Sequence, residues 1–567
     1  VWHAAYPDSD GVMQAQLIGS GTPSFNVDAG LLLPDFEGIY RTTAEDTPPW
    51  HGARKVTNLQ PYSNDYSNSA WQKVAGCTIT GTNQINFVGA YSRILNVSPV
   101  GEAGDVQVTR LRIRTTAGTG TKTISLVKGS SYALTMSIDE NWKLISFSHS
   151  TGADNLGLSN ALNGDYSIEV ADWQFENVTG QANQNPSEYV PTTSAAASKY
   201  FSYENGNTVS SNVVTEAQGA TLDPLPSLYG APAYTNSLTY SSDLTNAAWV
   251  KSGTGTAALD AAGLTGAPNT ATTITDSDSG GETKFQNSLS PITANTNTHT
   301  VRFFLLKDSN TTRFPELGIY INTACRAFIH FNTQTGAITE VASRCAGTFS
   351  YEANVLHGAF GGAGGWEVLI QITNANYTSF VPSIEPAGGS VAGTISSTVT
   401  GSCVVGNVEA HFNKTIAAVR GSAPIITAAS TVTTTAITDV YNSANWVDTS
   451  GGLYCEVTLQ VAQNILSTFL DVSGSTFRLN DGTNTATAAW VTNTAYQLGI
   501  AWDASAGTMA INVDGTWSSN ATYDGTLLAG ALDIFRSPAG VGLMRNLKRY
   551  KASNLAAAKA LVDGDMP

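Results

Sequence analysis

Along much of the chain, apolar and polar residues alternate in runs too short for a long helix. Val106 and Val108, Leu111 and Ile113, and Val301, Phe303 and Leu305 keep the period of two that puts every second side chain on one face of a strand. Clusters of Gly, Asn, Ser and Thr break these runs every ~8–12 residues, the rhythm of antiparallel strands folded into sandwiches. Near the C-terminus Val457, Leu459 and Val461 alternate, as do Tyr496, Leu498, Ile500 and Trp502, and "AGTMAINVDGTW" ends a strand in an Asp-Gly turn. One helix is predicted, in "SNLAAAKALVDG": Ser553 can cap it, Leu555, Ala558, Leu561 and Val562 form its apolar face, and Gly564 can stop it.

The same pattern occurs twice. "QPYSNDYSNSAWQK" (60–73) and "LTYSSDLTNAAWVK" (238–251) open two segments whose later features follow in one order. Trp71 is followed by Trp142 in "ENWKLISFSHS", then by "VADWQFENV" and "PSEYVPTTSAA"; Trp249 is followed by Trp366 in "GGWEVLIQIT", then by "VGNVEAHFN" and "GSAPIITAAS". The stretch between the two tryptophans is longer in the second copy, which predicts longer loops or extra strands there. This is a duplicated domain, since short solenoid repeats have periods of about 20–50 residues.

The expected architecture is all-β: tandem antiparallel β-sandwiches, then a C-terminal sandwich with a short terminal helix. The expected divisions are an N-terminal attachment arm (1–57), a first sandwich (58–197), a connector (198–230), a second sandwich (231–428) and the C-terminal sandwich (429–567). The arm, with Pro48-Pro49 and "GLLLPDF", is too short and irregular for a core of its own.

Composition narrows the function. The chain has 567 residues, of which 42% are hydrophobic and only 13% charged, so it is rich enough in apolar residues to fold despite its low charge. Net charge is −16 and no basic run occurs, which argues against nucleic acid. No run of 18 apolar residues offers a membrane span, and the opening "VWHAAYPDSD" lacks the build of a signal peptide. Five Cys match no zinc spacing. Cys325 and Cys345 flank two strand-like runs around an Asn-Thr-Gln-Thr-Gly turn, so they are expected to face each other, with a disulfide open to them outside a reducing compartment.

Two resemblances then enter. The segment from Tyr441 onward, with "GIAWDASAGTMAINVDG" and "NLKRY" leading to "NLAAAKAL", resembles the concanavalin A-like, laminin G-type lectin fold. The two copies resemble domains of bacteriophage and prophage virion fibre or spike proteins. The matching residues are His51-Gly-Ala-Arg54 with Asn58 to Lys73, Asn141-Trp-Lys143 and Glu188-Tyr-Val-Pro-Thr192. In the second copy they are Gly230-Ala231, Asn236 to Lys251, Gly365-Trp-Glu367 and Ala423-Pro-Ile-Ile426, without the Tyr-x-Pro ending. Such domains are described as carbohydrate-binding-module-like jelly rolls. The resemblance therefore implies a place on the virion surface, host surface polysaccharide as partner, other virion proteins held through the N-terminal region, and a homo-oligomer with a trimer favoured. No cofactor is required; laminin G-type domains often hold calcium through loop carboxylates, a role open to Asp503 and Asp514, although each also fits a simple Asp turn.

Catalytic patterns are missing from the sequence. Glycosidases need two carboxylates about 5–10 Å apart, and no Glu-x-Asp-x-x-Glu string occurs; Asp139-Glu140 and Glu45-Asp46 read as turn residues. The seven His are scattered, with no His-Glu-x-x-His, no Gly-x-Ser-x-Gly and no phosphate-cradling loop. A non-catalytic adhesin is the expectation, with a decoration protein that binds no glycan and a capsule depolymerase as alternatives. Sugar sites combine exposed aromatics with polar partners, which nominates Trp490, Trp517 and Tyr523, near loops carrying Asp503, Asp514 and Asp524. Trp71, Trp142, Trp249 and Trp366 are expected in cores.

Overall fold

A computed structural model describes the chain apart from residues 1, 5, 8–12, 15–21, 36–37, 97–104, 129–130, 151–154, 161–163, 180–186, 188, 202–226, 288–293, 321–325, 342–348, 357, 375, 377, 443–448, 468, 525–531, 537 and 567. Cys325 and Cys345 therefore lie outside the described residues, as does Glu188. The chain divides into two compact units, residues 54–213 and residues 1–53 with 214–567. Strands dominate both, all the described ladders are antiparallel, and helix is confined among the described residues to Ile416–Val419 and Leu555–Asp563.

The first unit is a sandwich of two five-stranded sheets. One runs Thr78–Thr80, Gln84–Phe87, Tyr166–Asn177, Val106–Thr115, Lys143–Ser150; the other runs Ser131–Ile138, Lys122–Lys128, Leu156–Ser159, Arg93–Asn96, Trp71–Val74. The period of two directs Ile85, Phe87, Leu111, Ile113, Ile124, Leu126, Ile168 and Val170 between the sheets, with Trp71 and Trp173 packed at a 4.9 Å centroid distance. The second sandwich, in the other unit, repeats this order strand for strand. Its sheets are Thr256–Ala261, Ala271–Asp276, Gly401–His411, Thr298–Leu306, Gly365–Thr373, and Arg326–Phe331, Phe314–Tyr320, Val381–Gly389, Lys284–Asn287, Trp249–Ser252. Each carries one more edge strand, Phe349–Leu356 on the first and Ile338–Val341 on the second.

The repeated phrase is the latch that closes each sandwich. The Asn58 amide donates to the carbonyls of Trp173 (3.0 Å) and Val190 (2.9 Å) and accepts from the N–H groups of Gln60 (3.0 Å) and Phe175 (3.1 Å). Asn236 makes the same four bonds, to Val408 (3.1 Å), Ile425 (2.9 Å), Leu238 (3.1 Å) and Ala410 (3.2 Å). Trp71 donates its indole N–H to Tyr62 O at 3.0 Å, and Trp249 donates to Tyr240 O at 2.9 Å; Tyr62 and Tyr240 both take the left-handed conformation, at φ 52° and 51°. The Ser63 hydroxyl then receives the Thr192 N–H, as Ser241 receives that of Thr427. An opening turn is thus tied to a closing segment far along the chain, and both tryptophans are buried.

The C-terminal sandwich draws on distant parts of its unit. One sheet is built on Thr508–Val513, Ala495–Asp503, Ser450–Leu459 and Gly542–Lys551, and continues through Ser227–Gly230 to Trp50–His51. The N-terminal stretch supplies further strands: Trp2–Ala4 pairs with Leu547 to Arg549, and Thr22–Phe25 pairs with Asp439–Asn442. Strands this short gain stability only by joining a sheet. Val27, Leu31 and Leu33 share a core with Ile437 and Leu543 and with Val419 and Ile425 of the second sandwich. Above that core, Arg302 is buried, ion-paired to Glu367 (2.5 Å) and Glu409 (3.3 Å) and donating to Ser422 O (2.7 Å).

Candidate functional site

Neither the three nominated aromatics nor the two nominated carboxylates converge. Trp490 and Tyr523 are buried. Trp517 is half-buried; its indole N–H donates to Asp563 Oδ1 at 2.7 Å and Lys559 Nζ lies 4.8 Å from its ring centroid. Residues 559 and 563 are one turn apart on the terminal helix, so Trp517 clasps that helix to the sheet. Trp517 pairs beside Asn512 and Thr522, next to Tyr523, pairs beside Thr508, which places the two aromatics roughly 13 Å apart along the strand.

Asp503 serves the same helix. Its Oδ1 accepts from the Ser505 hydroxyl (2.6 Å), the Ser450 hydroxyl (3.0 Å) and the Ser505 and Ala506 N–H groups, and its Oδ2 accepts from Leu555 N (3.2 Å) in the first turn. The Ser505 hydroxyl, with these other donors, holds the Asp503 carboxyl down to about 2 against the opposing effect of desolvation. Asp514 sits at φ 49° in a turn and accepts from Gln497 N at 2.8 Å. Gln497 and Asp503 lie toward opposite ends of the strand Ala495–Asp503, six residues and roughly 20 Å apart, so one ion cannot bridge Asp503 and Asp514. Among the described residues no group of three or more His, Cys, Asp or Glu is placed to hold a metal. Both aspartates were expected as loop carboxylates of a laminin G-type domain; the ladder puts them at the two ends of one hairpin.

Sequence reasoning also misplaced Trp142. Expected in the core, it is 38% exposed, because the turn at Asp139 to Asn141 delivers it just ahead of an edge strand and onto the outer face. Leu111 and Ile113 point inward, so Arg112 and Arg114 point outward, with their guanidinium carbons 5.5 and 4.7 Å from the Trp142 ring centroid. Arg114 pairs with Glu169 at 2.5 Å and Arg112 with Asp172 at 2.5 Å.

Register turns these residues into a row. Thr80 lies opposite Gln84, Gln84 opposite Glu169 and Glu169 opposite Arg114; Ile113 is paired with Lys143, which sets Trp142 level with Arg114. One outward residue from each of four neighbouring strands, with Trp142 just ahead of a fifth, thus forms a track roughly 19 Å long. Beside it Asn86 accepts from the Ser167 hydroxyl (2.6 Å) and donates to the Thr80 hydroxyl (2.9 Å), while Leu144 stands exposed across from Arg112. The track combines an open indole, a guanidinium held by a carboxylate, and amide and hydroxyl groups near solvent. The corresponding face of the second sandwich is the covered one that carries Arg302.

A second polar cluster is sealed from solvent. Glu316 and Glu385 are opposite each other on neighbouring strands, both buried, with His330 Nε2 3.9 Å from Glu316 and Lys284 Nζ 3.7 Å from Glu385. Burial, and then the Glu316 charge, push the Glu385 carboxyl up to about 8 against the pull of Lys284.

No family model and no curated protein matches the chain. Among solved structures it is similar to the N-terminal CBM22-1-CBM22-2 tandem domain of Paenibacillus barcinonensis Xyn10C, at 13% identity over 68% of this chain and 98% of that one, with a TM-score of 0.19. It is also similar to domains LG4-5 of the mouse laminin alpha1 chain, at 11% identity over 57% of this chain and 89% of that one (TM-score 0.15). The LG1-3 region of the laminin alpha2 chain aligns at 10% identity over 82% of this chain and 97% of that one (TM-score 0.16). Likeness at this level carries no argument about a ligand, and the sandwich architecture rests on the strand order itself.

Proposed function

We propose that the protein is a non-catalytic adhesin that binds a cell-surface polysaccharide along the open face of its first sandwich, and that it does so on the surface of a phage or phage-like particle in several copies. The observation that carries the glycan reading is the track Thr80, Gln84, Glu169, Arg114 and Trp142. A sugar chain offers apolar C–H faces and rims of hydroxyl groups. An open indole receives the first, while paired guanidinium and carboxylate with neighbouring amides receive the second. Five polar and aromatic positions in line suit an extended chain, and individually weak sites gain from multiple copies. The virion reading is supported by the resemblance of the two openings and of the Tyr-Val-Pro-Thr close.

Incubation of the full chain with capsular and surface polysaccharides, with bound sugar and released reducing ends measured together, tests the function. Binding without release is expected; release abolished by one carboxylate substitution would make the protein a depolymerase, and binding to no polysaccharide would make it a decoration protein.

A further inference from the structure

The charges along the track of the first sandwich come in pairs. Arg114 Nε donates to Glu169 Oε2 at 2.6 Å, and Arg112 Nε lies 2.5 Å from Asp172 Oδ2. The third arginine of that strand, Arg110, donates to the Ser187 carbonyl. The neighbouring row of Thr78, Asn86 and Ser167 is uncharged, and Ala171 and Leu144 flank Arg112 on the other side. Arg112 and Arg114 therefore face the track with one carboxylate each.

Asp172 reaches its partner through an irregularity in the strand Tyr166–Asn177. Strict alternation would send Glu169 and Ala171 outward and Asp172 inward, but the ladder shifts register between Arg110 and Arg112, and Asp172 takes φ 57°. The extra residue brings the Asp172 carboxylate to Arg112 and returns Trp173 to the core. Asn64 Oδ1 accepts the Asp172 N–H at 2.7 Å and holds this bend. A left-handed residue other than glycine is disfavoured, and here it delivers a carboxylate to the open face.

We propose that the track takes an uncharged polysaccharide, one without carboxylate, sulfate or phosphate groups, and that Glu169 and Asp172 set this specificity; the inference rests on the glycan reading of the track. A sugar hydroxyl both donates and accepts, so it can bond to carboxylate and guanidinium together. A ligand carboxylate drawn to Arg114 meets Glu169 at the same place, and one drawn to Arg112 meets Asp172. The charge of the chain acts in the same direction. Residues 54–213 hold 11 Lys and Arg against 12 Asp and Glu, whereas the whole chain holds 28 against 44. The unit that carries the track is thus close to neutral and the remainder is acidic. A polyanion is repelled at long range and finds both track guanidiniums occupied.

Binding of the full chain to neutral polymers (dextran, mannan, galactan) and to acidic ones (polygalacturonate, alginate, heparin), at about 20 mM and about 500 mM NaCl, tests this. At least one neutral polymer is expected to bind through Trp142, with an affinity that changes less than about twofold between the two salt concentrations. The acidic polymers are expected to bind at least roughly tenfold more weakly. The double variant Glu169→Gln/Asp172→Asn keeps side-chain size and leaves both guanidiniums without a counter-charge. It is expected to gain roughly tenfold or more in affinity for polygalacturonate at low salt, and to lose that gain at high salt. Acidic polymers held by the wild type as tightly as neutral ones, through Trp142, would overturn the inference and leave the track standing, as would a folded double variant without the gain. Binding that folded Trp142→Ala retains, or binding to none of the polymers, would overturn the glycan reading of the track and this inference with it.

Discussion

Asn58 and Asn236 hold the same four backbone partners in two sandwiches, each with two N–H bonds given and two accepted. Both are buried, and each ties the first turn of its sandwich to a long late strand and to the closing segment. Replacement by alanine strands two carbonyls and two N–H groups. Asn58→Ala is expected to cost about 2–4 kcal/mol, seen in calorimetry as a fall in the transition of the unit 54–213, while Asn236→Ala lowers the transition of the other unit.

Two tryptophans of the first sandwich should separate cleanly. Trp71 is packed against Tyr66 and Trp173, and Trp71→Ala is expected to destabilise the unit by about 3–5 kcal/mol. Trp142 is open, and Trp142→Ala is expected to change stability by no more than about 1 kcal/mol, the loss of its contacts with Arg112 and Arg114. Urea titration of both variants checks the contrast.

Glu385 gives the second sandwich a dependence on pH. Its carboxyl holds a proton to about 8 in the folded chain against an ordinary 4.5, so the stability it contributes is complete below about pH 4.5 and lost as pH rises to about 8. The groups that face it are Glu316, Lys284, Glu282 and Asp276, with His330 beside Glu316 and itself lowered by burial. Melting temperatures of wild type and Glu385→Gln, compared from pH 5 to pH 8.5, are expected to diverge in the variant's favour as pH rises. Parallel curves would mean that Glu385 is already ionised in the fold.

Asp503 acts in the opposite direction. Held near 2 against an ordinary 3.8, it contributes stability that is present above about pH 3.8 and lost as pH falls to about 2. Asp503→Ala removes the acceptor for the helix's Leu555 N–H and is expected to cost about 1–2 kcal/mol at neutral pH. Hydrogen exchange at Leu555 and Ala557 measures the loosening of that helix.

The strands, the duplication and the place of the terminal helix were legible in the sequence because they rest on local signals, although Asn554 and not Ser553 caps that helix and Leu561 of its expected apolar face is exposed. Val106, Val108, Leu111 and Ile113 alternate, and a phrase that includes Asn, Tyr-Ser and Trp at fixed spacing occurs twice, since its side chains bond to backbone at fixed offsets. Pairings between distant segments leave no period to read: nothing near Thr22–Phe25 announces Asp439–Asn442. Trp142 was misread for a related reason. Alternation fixes a face only within a strand, and the turn before Lys143 allows either side. Asp503 and Asp514, eleven positions apart, look adjacent in sequence, yet a hairpin ladder holds them at opposite ends.

The glycan track is tested most directly by polysaccharide binding of the full chain with Trp142→Ala and Trp517→Ala as paired variants. If the sugar lies across Arg114 and Trp142, Trp142→Ala weakens binding by at least about 2 kcal/mol, roughly 30-fold, while Trp517→Ala, which loosens the helix Leu555–Asp563, binds as wild type. Binding unchanged in folded Trp142→Ala would contradict the account, and its loss in Trp517→Ala alone would move the site to the C-terminal sandwich.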